Sequence, residues 1–92
     1  MLDGVIHNPA MRRWELPLGD MVAAIYYRAD EDPVTLTHTE VPNEYSGQGI
    51  ASRLARAVFE ELRSSGRRAI VKCPFLSAYV AKHREYSDLV AG

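Results

Sequence analysis

The chain of 92 residues predicts an α+β fold: an antiparallel β meander that turns into one β–α–β unit. Three observations carry that prediction. Up to residue 41, apolar and β-branched residues come in short runs that read as strands. From residue 48 the apolar period changes from two to four. The turns between the early runs are short, which favours antiparallel neighbours. No repeat or linker interrupts the chain, so residues 1–92 read as a single domain.

Each element has its own reason. Strand 3–8 holds Val5 and Ile6 and is ended by His7-Asn8-Pro9. Strand 10–16 alternates loosely from Met11 to Leu16, and Pro17-Leu18-Gly19-Asp20 is a turn by composition. Strand 21–29 contains the apolar and aromatic run MVAAIYYR and reads as central. Strand 34–41, VTLTHTEV, follows the polar turn Ala29-Asp30-Glu31-Asp32-Pro33 and is stopped by Pro42. The helix over 48–65 rests on Ile50, Leu54, Val58 and Leu62, with Ala51, Ala55 and Phe59 beside them, and Gly66 stops it. Strand 68–73 is RAIVKC. Pro74 opens a last helix over 75–82. The strands at 34–41 and 68–73 flank the long helix, so they are expected to be parallel or splayed neighbours. After Glu85 no period is legible.

Composition excludes several classes. A hydrophobic fraction of 47% and a charged fraction of 25% are those of a folded protein rather than a disordered one. Eleven Lys and Arg against twelve Asp and Glu leave a net charge of −1. That balance lacks the basic excess of a nucleic-acid binder. The single cysteine, Cys73, allows no internal disulfide and no zinc site by itself, and no metal is expected. No window approaches 18 apolar residues, so a soluble, cytoplasmic protein with no membrane partner is expected.

The most informative segment runs from Val41 to Ala51 and joins a strand to the start of the long helix. Gly47 and Gly49, one residue apart, allow backbone conformations closed to other residues and let an anion approach. The first amides of a helix have no internal partner and carry the positive end of its dipole. Such a loop is either an anion site or a plain helix cap with small residues for close packing. Gly47-x-Gly49-x-x-Ser52 nearly matches the dinucleotide fingerprint. The antiparallel context, Ser52 in place of the third glycine, and Cys73-Pro74 in place of an acidic strand end all count against that reading.

HTEVPNEYSGQGIASRLARAVFEEL followed by CPFLSAYVAKHREYSDL closely resembles the small stand-alone members of the GNAT acetyltransferase superfamily, over roughly residues 5–90. The superfamily signature is Gln/Arg-x-x-Gly-x-Gly/Ala, whose backbone amides hold the pyrophosphate of acetyl-CoA. Gly47 and Gly49 match its glycines. Glu44 stands where Gln or Arg is preferred, and Ser46 where Arg is common. The resemblance implies acetyl-CoA as cofactor, held by Ser46, Gly47, Gln48, Gly49, Ile50 and Ala51, and by the backbone of Glu40 and Val41 along the pantetheine arm. It implies an amine acceptor as the other partner. It also implies shortened N-terminal helices, which leave the acceptor side of the cleft open. Arg53 and Arg56 either steady the adenosine phosphates or face solvent. A monomer or weak homodimer is expected. The alternative is a module that binds coenzyme A or an acyl-CoA without turnover.

Acetyl transfer to an amine needs a positioned thioester, a base for the amine and an acid for the leaving thiolate. On strand alternation, Leu36, His38 and Glu40 share one face, with His38 and Glu40 about 6–7 Å apart. Either can accept the amine proton, and the resemblance adds weight to Glu40, since some GNAT enzymes use a glutamate on this strand. His38 also reads as a partly buried, hydrogen-bonded histidine. Cys73 ends a strand near the expected thioester and reads as acid, base or acyl acceptor, or as a small core residue. Phe75, Tyr79 and His83 form one stripe at spacing i, i+4, i+8. Such stripes are commonly core. The resemblance implies that Tyr79 protonates the thiolate.

Overall fold

The computed structural model describes residues 4–29 and 31–91. Five strands form one sheet in the order β1 (Ile6–Asn8), β2 (Arg13–Leu18), β3 (Met21–Tyr27), β4 (Val34–Glu40) and β5 (Ala69–Val71). The first four pair antiparallel and β5 lies parallel to β4. Helix α1 (Ile50–Ser64) makes the crossover, and α2 (Pro74–Lys82) follows β5. The predicted α+β architecture is therefore the one observed. Asp3, the first residue of the predicted strand 3–8, lies outside the described residues, and Gly4 and Val5 precede the strand, which begins at Ile6.

The largest shift is in the second strand. Pro9–Met11 form a 3-10 turn closed by the Asn8 side chain, which accepts from the Met11 amide at 3.2 Å. Arg12 then takes a left-handed φ of 50°. The strand begins at Arg13 rather than 10 and runs on through Pro17 and Leu18. The expected four-residue turn shrinks to Gly19-Asp20, with Gly19 at φ 65° as the first central residue of a two-residue hairpin. Proline is tolerated here for a reason. Leu18 pairs with Met21 and closes the hairpin, so Pro17 opposite Val22 falls at the non-bonded position of that ladder. On its other side β1 ends opposite Glu15, so no strand asks for the missing N–H.

One face of the sheet carries the core. Trp14, Leu16, Ala23, Ile25, Tyr27, Val34 and Leu36 are buried, and Leu54, Val58, Phe59 and Leu62 of α1 pack into the same cluster. A buried side chain of this size contributes roughly 1.5–3 kcal/mol. Residues 84–89, where the sequence shows no period, form a 3-10 turn that buries Tyr86 and Leu89. Arg63 of α1 clamps it, donating to both carboxylate oxygens of Asp88 and to the Glu85 carbonyl. Val90 then bridges Ala69 in parallel, so this segment lies along the outer edge of β5.

Candidate functional site

β4 carries the feature that organises the site. Tyr26 faces His38 but Tyr27 faces Leu36, so Thr37 is one residue too many on its strand. The Thr37 hydroxyl donates to the Tyr26 carbonyl at 3.3 Å. A bulge of this kind re-aims the side chains beyond it. This corrects the simple alternation: Leu36 is buried on the helix face, while His38 and Glu40 are exposed on the opposite face. Their side chains meet at 3.4 Å.

The bulge also marks where β4 and β5 part. The parallel ladder ends at Leu36 with Val71, and the last bond is from the Lys72 amide to the Leu36 carbonyl at 2.9 Å. Beyond that point β4 stays paired to β3 as far as Glu40. Of the two expected arrangements the strands are parallel neighbours, and their ladder stops at a single residue. On the helix side of the parting, Thr39 Oγ1 lies 3.5 Å from the Sγ of buried Cys73.

After β4 the chain makes a 3-10 turn over Asn43–Tyr45 and enters the glycine loop. Tyr45 anchors this loop, its hydroxyl donating to the Leu18 carbonyl in the β2–β3 hairpin at 3.3 Å. Nothing in the sequence pattern marked that tyrosine. The Ser46 hydroxyl turns back to donate to the Asn43 carbonyl. Gly47 and Gly49 take φ of 78° and 73°, and Gly49 caps α1, which leaves Gln48 outside the helix expected to include it. A Cβ built on either glycine meets nothing within 4 Å. Close packing therefore does not explain these glycines; their backbone conformation does. The space in front of the loop is open. The first intrahelical bond runs from the Arg53 amide to the Gly49 carbonyl, which leaves the preceding amides of Ile50, Ala51 and Ser52 at the helix start. Arg53 and Arg56 are exposed.

A cavity of about 200 Å³ lies beside this helix start, lined by Ser52, Phe75, Ala78, Tyr79, Lys82 and His83. The predicted stripe on α2 forms its wall. Tyr79 is 7% exposed and stacks on His83 with ring centroids 4.1 Å apart, although His83 is already the residue that ends the helix. Phe59 stacks parallel to Tyr79 from α1. Burial chiefly, with help from Glu85, raises the Tyr79 pKa, so its phenol keeps its proton at neutral pH. Tyr86 makes the contrast: its hydroxyl donates to Glu60 at 2.7 Å, and burial with that bond pushes its pKa up to about 12. Among the described residues the Tyr79 hydroxyl makes no hydrogen bond. The residues expected to be catalytic thus fall into two groups, Tyr79 and Cys73 on the helix side of the sheet and His38 with Glu40 on the open side.

The comparisons agree with this architecture. The family model described as GCN5-related N-acetyl-transferase matches residues 13–89. Protein NATD1 of Bos taurus is 32% identical over 82 residues, covering 86% of this chain and 73% of that protein. Its counterpart in Danio rerio is 28% identical over 91 residues, covering 94% and 83%. The NMR structure of a GCN5-like protein from Staphylococcus aureus superposes with a TM-score of 0.72 at 25% identity, over all of this chain and 92% of that one. A parallel strand pair that parts beside a glycine-capped helix, together with a family match spanning most of the chain, shows that this chain belongs to the GCN5-related N-acetyltransferase family.

Proposed function

We propose that the protein is an acetyl-CoA-dependent N-acetyltransferase that moves an acetyl group to an amine of a small molecule or of a protein side chain. The observation that carries this reading is the parting of β4 from β5 at Leu36, followed in the chain by a glycine loop with open space before it. The loop fits a pyrophosphate because no side chain stands over Gly47 or Gly49 and the first amides of α1 supply donors. Gly47, Gln48, Gly49, Ile50 and Ala51 hold it through their backbone, Ser46 shapes the loop, and Arg53 adds charge from the exposed side of α1. The backbone of Glu40 and Val41 lines the parting where a pantetheine arm would pair. Acetyl-CoA supplies the acyl thioester. The chain supplies position, which makes transfer effectively unimolecular, and proton traffic, worth about 10²–10⁴ for each group. His38 or Glu40, facing solvent, takes the proton of the incoming amine. Tyr79, protonated and without an acceptor among the described residues, gives one to the departing sulfur. Cys73, buried against Thr39, serves packing first.

In this reading the protein works in the cytoplasm as a monomer or weak homodimer, without nucleic acid or membrane. None of the described helices is long and apolar enough to cross a membrane. The test is release of free thiol from acetyl-CoA when an amine is added. Amine-dependent release is expected. A protein that binds acetyl-CoA yet releases no thiol with any amine is a coenzyme A or acyl-CoA-binding module. That second reading is favoured by one observation: among the described residues no helix covers the face that bears His38 and Glu40, whose side chains are 60% and 65% exposed.

A further inference from the structure

The open face of the sheet is not a set of scattered polar side chains. The register lines up Asn8, Arg13, Tyr26 and His38 in one row across four strands. Glu15, Ala24 and Glu40 make the adjacent row. Contacts link Asn8, Glu15, Arg13, Tyr26, His38 and Glu40 in turn. Asn8 Nδ2 donates to Glu15 Oε2 at 2.8 Å, and Arg13 Nε donates to the same oxygen at 2.6 Å. A second nitrogen of Arg13 donates to the Tyr26 hydroxyl at 3.1 Å, and its guanidinium lies 5.7 Å from the centre of the Tyr26 ring. The Tyr26 ring in turn stacks on His38 at 5.9 Å and 27°. His38 ends the row against Glu40.

Exposure grades along this row. The side chains of Arg13 and Glu15 are 20% and 14% exposed, whereas those of His38 and Glu40 are 60% and 65% exposed. The anchored end is thus the half-buried ion pair, and the free end is the imidazole beside the parting. An exposed side chain on a strand has several rotamers open to it, each costing part of the population that can act. The stacked Tyr26 ring and the Glu40 carboxylate at 3.4 Å restrict that freedom. The bulge at Thr37 matters twice here: it turns His38 to the open face and brings it opposite Tyr26.

We infer that Tyr26, held in place by Arg13, is a positioning residue that fixes the imidazole of His38 on the open face of the sheet, where it meets the acceptor amine. The inference rests on the acetyltransfer reading but makes a claim of its own about an orientation. Nothing about the glycine loop, Cys73 or Tyr79 enters it.

Two measurements test it together, both on the full chain. The first is the NMR spectrum of the His38 imidazole, which needs no acceptor. Loss of the stacked ring in Tyr26→Leu is expected to move the His38 ring protons and broaden their rotamer distribution. Tyr26→Phe, which keeps the ring and its contact with Arg13 but loses the hydroxyl bond, is expected to move them less than Tyr26→Leu does. The second is a double-mutant cycle in acetyl transfer. Tyr26→Leu is expected to lower kcat by about 10- to 100-fold, the scale of a misplaced catalytic group, with KM for acetyl-CoA unchanged. In the His38→Ala background the same substitution is expected to cost nothing further. His38 ring signals unmoved by Tyr26→Leu would overturn the inference. So would an equal loss of kcat from Tyr26→Leu with and without His38, because that is the mark of a structural role alone. Binding of acetyl-CoA without transfer by the wild type would overturn the enzyme reading, and the imidazole spectrum would still decide the orientation.

Discussion

The two sides of the parting between β4 and β5 are built on opposite principles. On the helix side the groups are dry and aromatic: Tyr79 is packed among Phe59, His83 and Tyr86, and Cys73 is buried against Thr39. On the sheet side they are polar and charged, joined from Asn8 to Glu40 by hydrogen bonds and one ring stack between Tyr26 and His38. Burial raises the pKa of a phenol and so keeps its proton in place, while exposure lets an amine and its proton come and go. A proton donor belongs on the first side and a proton acceptor on the second. The extra residue at Thr37 puts His38 on the second side, because it sends Leu36 to one face and His38 to the other.

That asymmetry breaks hardest at Tyr79. Tyr79→Phe keeps the ring in its stack and removes only the hydroxyl, so single-turnover transfer is expected to fall by about 10²–10⁴ while acetyl-CoA affinity is nearly kept. Cys73→Ala is expected to cost less in turnover and to lower stability through a small cavity. A dead but folded Cys73→Ala beside a fully active Tyr79→Phe would exchange the two roles. The loop is the next target. Saturating acetyl-CoA is expected to stabilise the wild type by about 2–3 kcal/mol at a hundredfold excess over Kd. Gly49→Val forces a branched residue into a φ of 73° and is expected to lose that gain in thermal melts. Equal shifts in the two proteins would remove the loop from the binding site.

Two smaller effects sharpen the contrast between the flanks. Tyr86→Phe removes the bond to Glu60 that steadies the aromatic stack and is expected to cost about 1–2 kcal/mol in chemical denaturation. It should leave the sheet side untouched. On that side, burial pushes the Glu15 pKa up, but bonds from Arg13 and Asn8 outweigh it and hold the carboxyl below its ordinary value of 4.5. A depressed folded pKa contributes stability above the unfolded value, which is lost as pH falls through the folded one. Glu15→Gln is therefore expected to be less stable than wild type at pH 7, with the gap closing below about pH 4. A gap that stays constant down to pH 2 would show that the ion pair carries no linked protons.

Much of this arrangement is legible in the residues, and what is not has physical causes. The period of Ile50, Leu54, Val58 and Leu62 defines α1 because its apolar face has only one way to be buried. Gly47 and Gly49 mark the loop because positive φ is costly for other residues. Pro17 misleads, since its tolerance depends on where β1 stops, a fact of tertiary pairing. The bulge at Thr37 leaves no trace in a β-branched run, and the face of His38 follows from it. The turn over residues 84–89 has no period because Arg63, a residue of another element, holds it. Tyr45 and Tyr26 are silent for the same reason: their partners, Leu18 and Arg13, are distant in sequence.

The most direct measurement is amide chemical-shift mapping of the full chain titrated with acetyl-CoA. The amides of Gly47, Gly49, Ile50 and Ala51 should move together with those of Glu40 and Val41, and the row from Arg13 to Tyr26 should stay still. Shifts confined to the separate cavity of about 360 Å³ formed by Val71, Ser77, Val80, Ala81, Ser87 and Val90, with the glycine loop unmoved, would contradict the placement of acetyl-CoA at the parting of β4 and β5.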